Sequence, residues 1–327
     1  MADEVDMADV ALATYEELMD LERDFEDTET EILRQQVILT KPLYEKREKL
    51  IAKIPNFWAL VFEQAPADLD QFIHPTDSAV LLSSLTSLSV SHFDIENGGK
   101  GEPRNFSIKM EFSENEWFEN KVLEKKFWHR ESKDGDAGLV SEPVPIKWKS
   151  ADKDLTQGML DLAVKVWEND KKQGQSDSTK VKKEKDYTPD EKALKEKVNA
   201  TSRGAVSFFA WFGFRGLNIS EEESRLAVEK EKKERADRAA GKVPDLQEVD
   251  DEEDEDEDED EDPFELEIFR EGDELAIEIS EDLWPNAIKY FTQAQEVDIS
   301  DMDFEDIDED EEMDEDDEEE KPKTNGS

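Results

Sequence analysis

The groups in this chain that could do chemistry are overwhelmingly carboxylates. Its 327 residues include 90 Asp and Glu, 41 Lys and Arg, 3 His and no Cys. Without cysteine there is no thiolate nucleophile, no disulfide and no thiolate metal site. His74, His92 and His129 are the neutral-pH bases, and none lies in a recognisable catalytic motif. Each is expected to be a surface or satisfied core residue. The chain therefore reads as not an enzyme, with no cofactor and no dedicated metal site. Its Asp-Glu repeats share the composition of a calcium loop but lack the glycine and ligand spacing, so divalent ions would bind weakly. Dense carboxylates are suited instead to a very basic protein partner. They raise association rates by long-range attraction, and they accept paired N–H groups from guanidinium.

The formal charge of −49 is unevenly spread. Asp245–Asp262 carries 15 acids and Glu296–Glu320 carries 18, with no base in either, which leaves −16 on the rest. The pattern predicts a moderately acidic folded body with two solvated acidic segments. Such a balance argues against nucleic acid as the direct partner, because phosphate repels it. Met1–Val10 is acidic and lacks the basic start of a signal peptide. The longest mostly apolar run, Ala79–Val90, is too short and too serine-rich to span a bilayer. An intracellular protein with no membrane contact is expected, so the N-x-S/T matches at Asn105, Asn199 and Asn218 are read as chance.

The elements around these charges are ordered by one stretch. Residues 1–13 read as an acidic leader and 14–54 as a long helix. Thr14–Lys53 has no glycine and one proline, Pro42, which should bend it. Leu18, Phe25, Ile32, Leu39, Leu43 and Leu50 recur at spacings of seven, seven, seven, four and seven, a heptad stripe with one stutter. The stripe is covered either by the helix's own domain or by the same helix of a second chain. A helix of roughly 60 Å is too long for a small domain to cover, which favours the second. Pro55 ends it, and Phe57, Trp58, Leu60, Val61 and Phe62 begin a new apolar surface.

Thr76-Asp77 offer a cap for a short helix. Leu88 and Val90, then Phe106, Ile108, Met110 and Phe112, alternate as strands around the turn cluster Asn97–Gly101. Lys125–Arg130 and Val144–Lys149 fit a third and a fourth strand, with Gly135–Gly138 as a hairpin tip. Helices are expected over Asp154–Asn169 and from Pro189 into the cluster Phe208–Phe214. That cluster reads as core, since an acidic chain has no basic groove to accompany a stacking platform. The segment 171–186 reads as a mobile linker, Ser220–Ala240 as an exposed helix held by side-chain pairs, and 215–263 as a charged insertion. Segregated strands and helices make an α+β fold. It comprises a domain of about four antiparallel strands with helices over 55–295, carried on the long helix, before an acidic tail over 296–327.

Several segments, in order, resemble the nucleosome assembly protein family, within it the SET, template-activating-factor branch. They are Ile54-Pro55-Asn56-Phe57-Trp58, Trp117-Phe118-Glu119-Asn120-Lys121-Val122-Leu123, Ile146-Lys147-Trp148-Lys149-Ser150, Ser207-Phe208-Phe209-Ala210-Trp211-Phe212 and Asp282-Leu283-Trp284-Pro285-Asn286. The resemblance spans about residues 15–295. It implies a headphone-shaped homodimer in which paired antiparallel long helices bridge two α+β "earmuff" domains. The six stripe residues would then be the dimerisation seam. It further implies a nuclear histone chaperone, shuttling with the cytoplasm, that shields core histones and limits access of histone-modifying enzymes. A second class stays open: an acidic scaffold or inhibitor of an enzyme. A histone acetyltransferase or a protein phosphatase would be the partner enzyme. In the SET branch the histone surface surrounds the acidic turn before the tryptophan–proline–asparagine motif, so here the resemblance points to Asp273 and Glu274, with Glu278, Glu281 and Asp282 as neighbours. The linker 171–186 and the insertion 215–263 depart from the family pattern.

Overall fold

The computed structural model describes residues 7–95, 99–173, 182–202, 205–240 and 262–305. The first helix, α1 (Met7–Ile51), runs about 67 Å at 1.5 Å per residue and continues through Pro42. It starts inside the stretch expected to be a leader, because Ala8, Ala11, Leu12 and Ala13 favour helix and no glycine or proline interrupts them. It stops where expected. Lys53 N and Ile54 N donate to the carbonyls of Leu50 and Ile51, tightening the last turn ahead of Pro55. Asn56, in the left-handed region at φ 57°, then precedes the next helix as its cap.

Three short helices follow: α2 (Phe57–Glu63), α3 (Ala67–Asp70) and α4 (Pro75–Ser84). In α4 the cap is His74 rather than Thr76, and Asp77 accepts from His74 N at 3.1 Å. Pro75 needs no N–H at the first helical position, which moves the start forward.

The chain then makes a four-stranded antiparallel meander: β1 (Leu85–Ser91), β2 (Phe106–Phe112), β3 (Val122–Glu131) and β4 (Ala137–Ser141), in the order β1-β2-β3-β4. The strand count matches the sequence reading, but the fourth strand is a different one. Ala137–Ser141, expected to lie partly in a hairpin tip, pairs with β3 from Phe127↔Ser141 to Glu131↔Ala137. Val144–Lys149 makes only a Phe118↔Trp148 bridge and scattered bonds such as Val144 N to the Phe212 carbonyl. Pro143 and Pro145 lack the N–H groups that a continuous ladder needs.

The helical half comprises α5 (Met159–Gln173), α6 (Pro189–Ala200), α7 (Glu221–Ala239), α8 (Gly272–Ile277) and α9 (Ala287–Glu305). α5 starts later than expected. Asp154 accepts from Thr156 N and Gly158 N, and Gln157 and Gly158 take positive φ before the helix begins. α6 ends at Ala200 instead of reaching the aromatic cluster, which forms a separate 3-10 turn over Phe208–Gly213. The start of the linker is the end of α5, and its last part, Glu184–Asp186, forms a short turn; 174–181 lie outside the described residues. The acidic run 241–261 and residues 306–327 also lie outside them, while α9 runs past the expected tail boundary at 296.

The core lies between the sheet and this helical half. Phe208, Phe209, Trp211 and Phe212 are fully buried. Trp211 stacks on Phe127 of β3 at 5.5 Å, and Phe209 meets Phe118 at 5.7 Å. Buried Asp77 accepts from Ser207 Oγ at 2.6 Å and Phe208 N at 2.9 Å, tying α4 to the aromatic turn.

Candidate functional site

The acidic turn is set by the core beneath it. Leu275, Ile279 and Leu283 are fully buried at intervals of four. They form the inner stripe of α8 and of the wider turn Glu278–Leu283, where Trp284 N reaches the Ile279 carbonyl at 3.0 Å. This wider winding keeps the interval-of-four stripe inward and turns the carboxylates outward. Gly272 opens the turn because Phe214 stands 2.4 Å from where a Cβ would sit, and its carbonyl accepts from Trp211 Nε1 at 2.8 Å.

The five carboxylates expected to act together are divided by the fold. Asp273 and Glu281 line a cleft of about 1110 Å³ between α1 and the sheet, together with Glu45 and Glu48 of α1 and the apolar Ile277 and Trp284. Glu274 is exposed and lines a separate cleft of about 470 Å³ with Glu271 and His74. Asp282 is engaged within the fold: it accepts from Tyr290 Oη at 2.6 Å and Asn286 Nδ2 at 2.7 Å. Burial, and then the bond to Asp282, push the Tyr290 hydroxyl up to about 12. Burial raises the Glu278 carboxyl, and repulsion from Asp68, Asp282 and Glu281 raises it further. Carboxylates that repel one another this way are stabilised by an incoming cation.

The residues that fix the cleft's geometry left no local signal. Arg47 of α1 lies over the rings of Tyr44 and Trp284, at 4.7 and 4.6 Å, where the two rings meet each other at 4.0 Å, and it donates to the Trp284 and Pro285 carbonyls at 2.5 and 3.2 Å. It is buried, and among the described residues it has no carboxylate salt bridge. Arg34 reaches the Gly99 and Gly101 carbonyls at 2.7 and 2.6 Å, so α1 is fastened at a second point. Arg47→Ala should cost about 2 kcal/mol, from two charge-assisted bonds and a double ring contact, seen as a lower urea midpoint. A change below about 0.5 kcal/mol would remove Arg47 as the anchor.

The six stripe residues Leu18, Phe25, Ile32, Leu39, Leu43 and Leu50 are each between 55% and 71% exposed on the single chain. The three histidines take bland positions. His74 caps α4, His92 Nδ1 lies 2.7 Å from the Pro103 carbonyl, and burial followed by the Arg104 charge pushes His129 down to about 4. Among the described residues no three His, Asp or Glu are grouped to share a metal ion, and no helix is long and apolar enough to cross a membrane.

The family model described as nucleosome assembly protein matches residues 9–294. A putative nucleosome assembly protein of Schizosaccharomyces pombe is 36% identical over 150 residues, 42% of this chain and 59% of that one. Protein SET of Drosophila melanogaster is 37% identical over 121 residues, 34% of this chain and 39% of that one. Both matches span less than two thirds of the relative's length. Among solved structures, Vps75 shares the fold at 22% identity and a TM-score of 0.50, covering 86% of this chain and 98% of that one.

Proposed function

We infer from one premise, that the chain belongs to the nucleosome assembly protein family, that it is a histone chaperone which binds and shields basic core histones as nucleosomes are assembled and disassembled. The family match over residues 9–294 carries the reading. Its chemistry is supported by the carboxylates around the cleft and by the flanking acidic segments, which compete with DNA phosphate for histone Lys and Arg. The finer proposals are nuclear residence with shuttling and restricted access of an acetyltransferase to bound histone tails. A phosphatase with a basic substrate site could meet the same carboxylates.

The histone-contacting set we propose is Asp273, Glu274, Glu278 and Glu281. Asp282 holds Tyr290 and Asn286 and is assigned to the fold.

The working form we propose is a homodimer joined along Leu18, Phe25, Ile32, Leu39, Leu43 and Leu50. Charge supports an antiparallel pairing. Residues 16–31 of α1 hold 9 acids and 1 base, whereas 34–53 hold 6 bases and 2 acids. A parallel pair would stack acid on acid, whereas an antiparallel pair sets each acidic half beside a basic one. A centre near Arg34 brings Leu18 opposite Leu50 and Phe25 opposite Leu43.

The test is core-histone affinity at about 0.15 and 0.5 M salt, with poly-lysine as control. It compares the full chain, a version lacking 245–261 and 306–327, and Asp273→Lys with Glu281→Lys. The expected result is that the trimmed chain still prefers histones at the higher salt, while the double reversal weakens binding about 10- to 100-fold. Preference that vanishes with the acidic segments would reduce the binding to generic polyanion attraction.

A further inference from the structure

The insertion helix α7 is tied to the N-terminal half of α1 by charged side chains. Arg235 reaches Asp27 at 2.7 Å and Asp24 at 3.9 Å. Arg238 grips Asp20 through two nitrogens, at 2.6 and 3.2 Å. From α1, Arg23 answers toward Glu231 at 3.5 Å and pairs with Glu131 of β3. Arg238 and Asp20 are 26% and 28% exposed, whereas Arg225, with its partners Glu222 and Glu229 on α7 itself, is 51% exposed. Arg238–Asp20 is thus the better shielded pair, where attraction is screened less, while Arg235 is itself half-buried but meets the exposed Asp24 and Asp27. Arg238 holds the Asp20 carboxyl below its usual range, and Asp27 raises Arg235.

The other end of α7 is fixed separately. Ser220 caps it, Ser224 Oγ accepts from Glu131 N at 3.0 Å, and Arg130 donates to the Ile219 carbonyl at 2.6 Å. No residue of α7 is buried, so apolar packing does not hold its far end. The direction of the contact matters. At 3.6 residues per turn, Asp20, Arg23 and Asp27 point about 140–200° away from Leu18, so this contact lies opposite the exposed stripe.

We propose that α7 is an electrostatic clasp: it holds the N-terminal half of α1 against its own domain and so keeps the apolar stripe turned outward. Arg235, Arg238 and Arg23 carry the contact, with Asp20, Asp24, Asp27, Glu231 and Glu131 as their partners. The clasp does not rest on the histone reading. It stands whether or not two chains pair, but it would present the seam ready for pairing. Because it is built from ion pairs, salt releases it while the Arg47 anchor persists.

The test is hydrogen exchange across residues 15–33 of the full chain, read by mass spectrometry. It is made in the Leu39→Glu, Leu43→Glu background so that a partner helix cannot mask the result. There, Arg235→Glu with Arg238→Glu should speed exchange of 15–33 about tenfold or more and leave 44–51 unchanged. Asp20→Arg with Asp27→Arg should do the same, and all four changes together should restore protection, since the pairs reform with reversed sign. Raising salt to about 0.5 M should mimic the reversals. Equal exchange in parent and reversal variants, or a four-fold swap that fails to restore protection, would overturn the clasp. The mass of the unsubstituted chain reports on pairing separately, so the two ideas fail independently.

Discussion

Leu39→Glu combined with Leu43→Glu should turn a dimer into a monomer. Leu39 is 71% exposed and Leu43 is 64% exposed on the single chain, so neither supports the core of its own domain. In the proposed pair both are covered by the partner helix. Burying a leucine contributes about 1.5–3 kcal/mol, and two-fold symmetry doubles the number lost to four. Each glutamate would add an unpaired carboxylate at the seam, a further cost. The total of roughly 6–12 kcal/mol before that cost would raise the dissociation constant at least ten-thousandfold. Light scattering at micromolar concentration should then give 37.7 kDa instead of twice that mass. Near-ultraviolet circular dichroism of the domain should stay unchanged. A dimer mass that survives both substitutions would reject the seam.

The second large effect is expected at Lys125. Its ammonium sits in the core and donates to the carbonyls of Glu142, Phe212 and Phe214 at 3.0, 3.2 and 2.8 Å. Buried Glu267 lies within electrostatic reach and accepts from Arg215 N and Gly216 N at 3.0 and 3.3 Å. Together they stitch β3 to the segment that leads from the aromatic turn toward α7. Lys125→Met would leave three carbonyls without this donor and Glu267 without its nearby countercharge. We expect a loss of about 3–5 kcal/mol, read as a lower urea midpoint at unchanged slope. Adding Glu267→Gln should recover part of it. Full stability in Lys125→Met would mean that the cluster is dispensable.

The same lysine gives a pH signature. Burial pushes its folded-state pKa from the ordinary 10.5 down to about 7. Between those values the unfolded chain binds the proton more tightly than the folded one. This group's contribution to stability therefore rises with pH from about 7 toward 10. Glu267 is shifted upward by burial, so its contribution falls as pH climbs through the range above an ordinary carboxylate. The alkaline rise should be present in the unsubstituted chain and absent from Lys125→Met.

What could be read from the sequence was whatever repeats over a short distance. The seven-residue recurrence from Leu18 to Leu50 marked α1, and the alternation Phe106, Ile108, Met110, Phe112 marked β2. The dense aromatics of Phe208–Phe214 marked a core, and ordered short segments carried the family likeness confirmed over residues 9–294. One local cue misled: Val144, Ile146 and Trp148 alternate, yet Pro143 and Pro145 deny that stretch the donors of a strand, and Ala137–Ser141 takes the place. Lys125 left a faint sign, a cation at an inward position between Leu123 and Phe127 of β3.

Only the tertiary structure decided the rest. Arg47 and its partner Trp284 are 237 residues apart in the chain, and Arg238 and Asp20 are 218 apart. Of the five carboxylates close in sequence, Asp273 and Glu281 line one cleft, Glu274 lines another, and Asp282 accepts two internal hydrogen bonds. Helices and strands follow from periodicity, which the chain writes locally. Which cation meets which carboxylate depends on how those elements pack, and no local spacing records it.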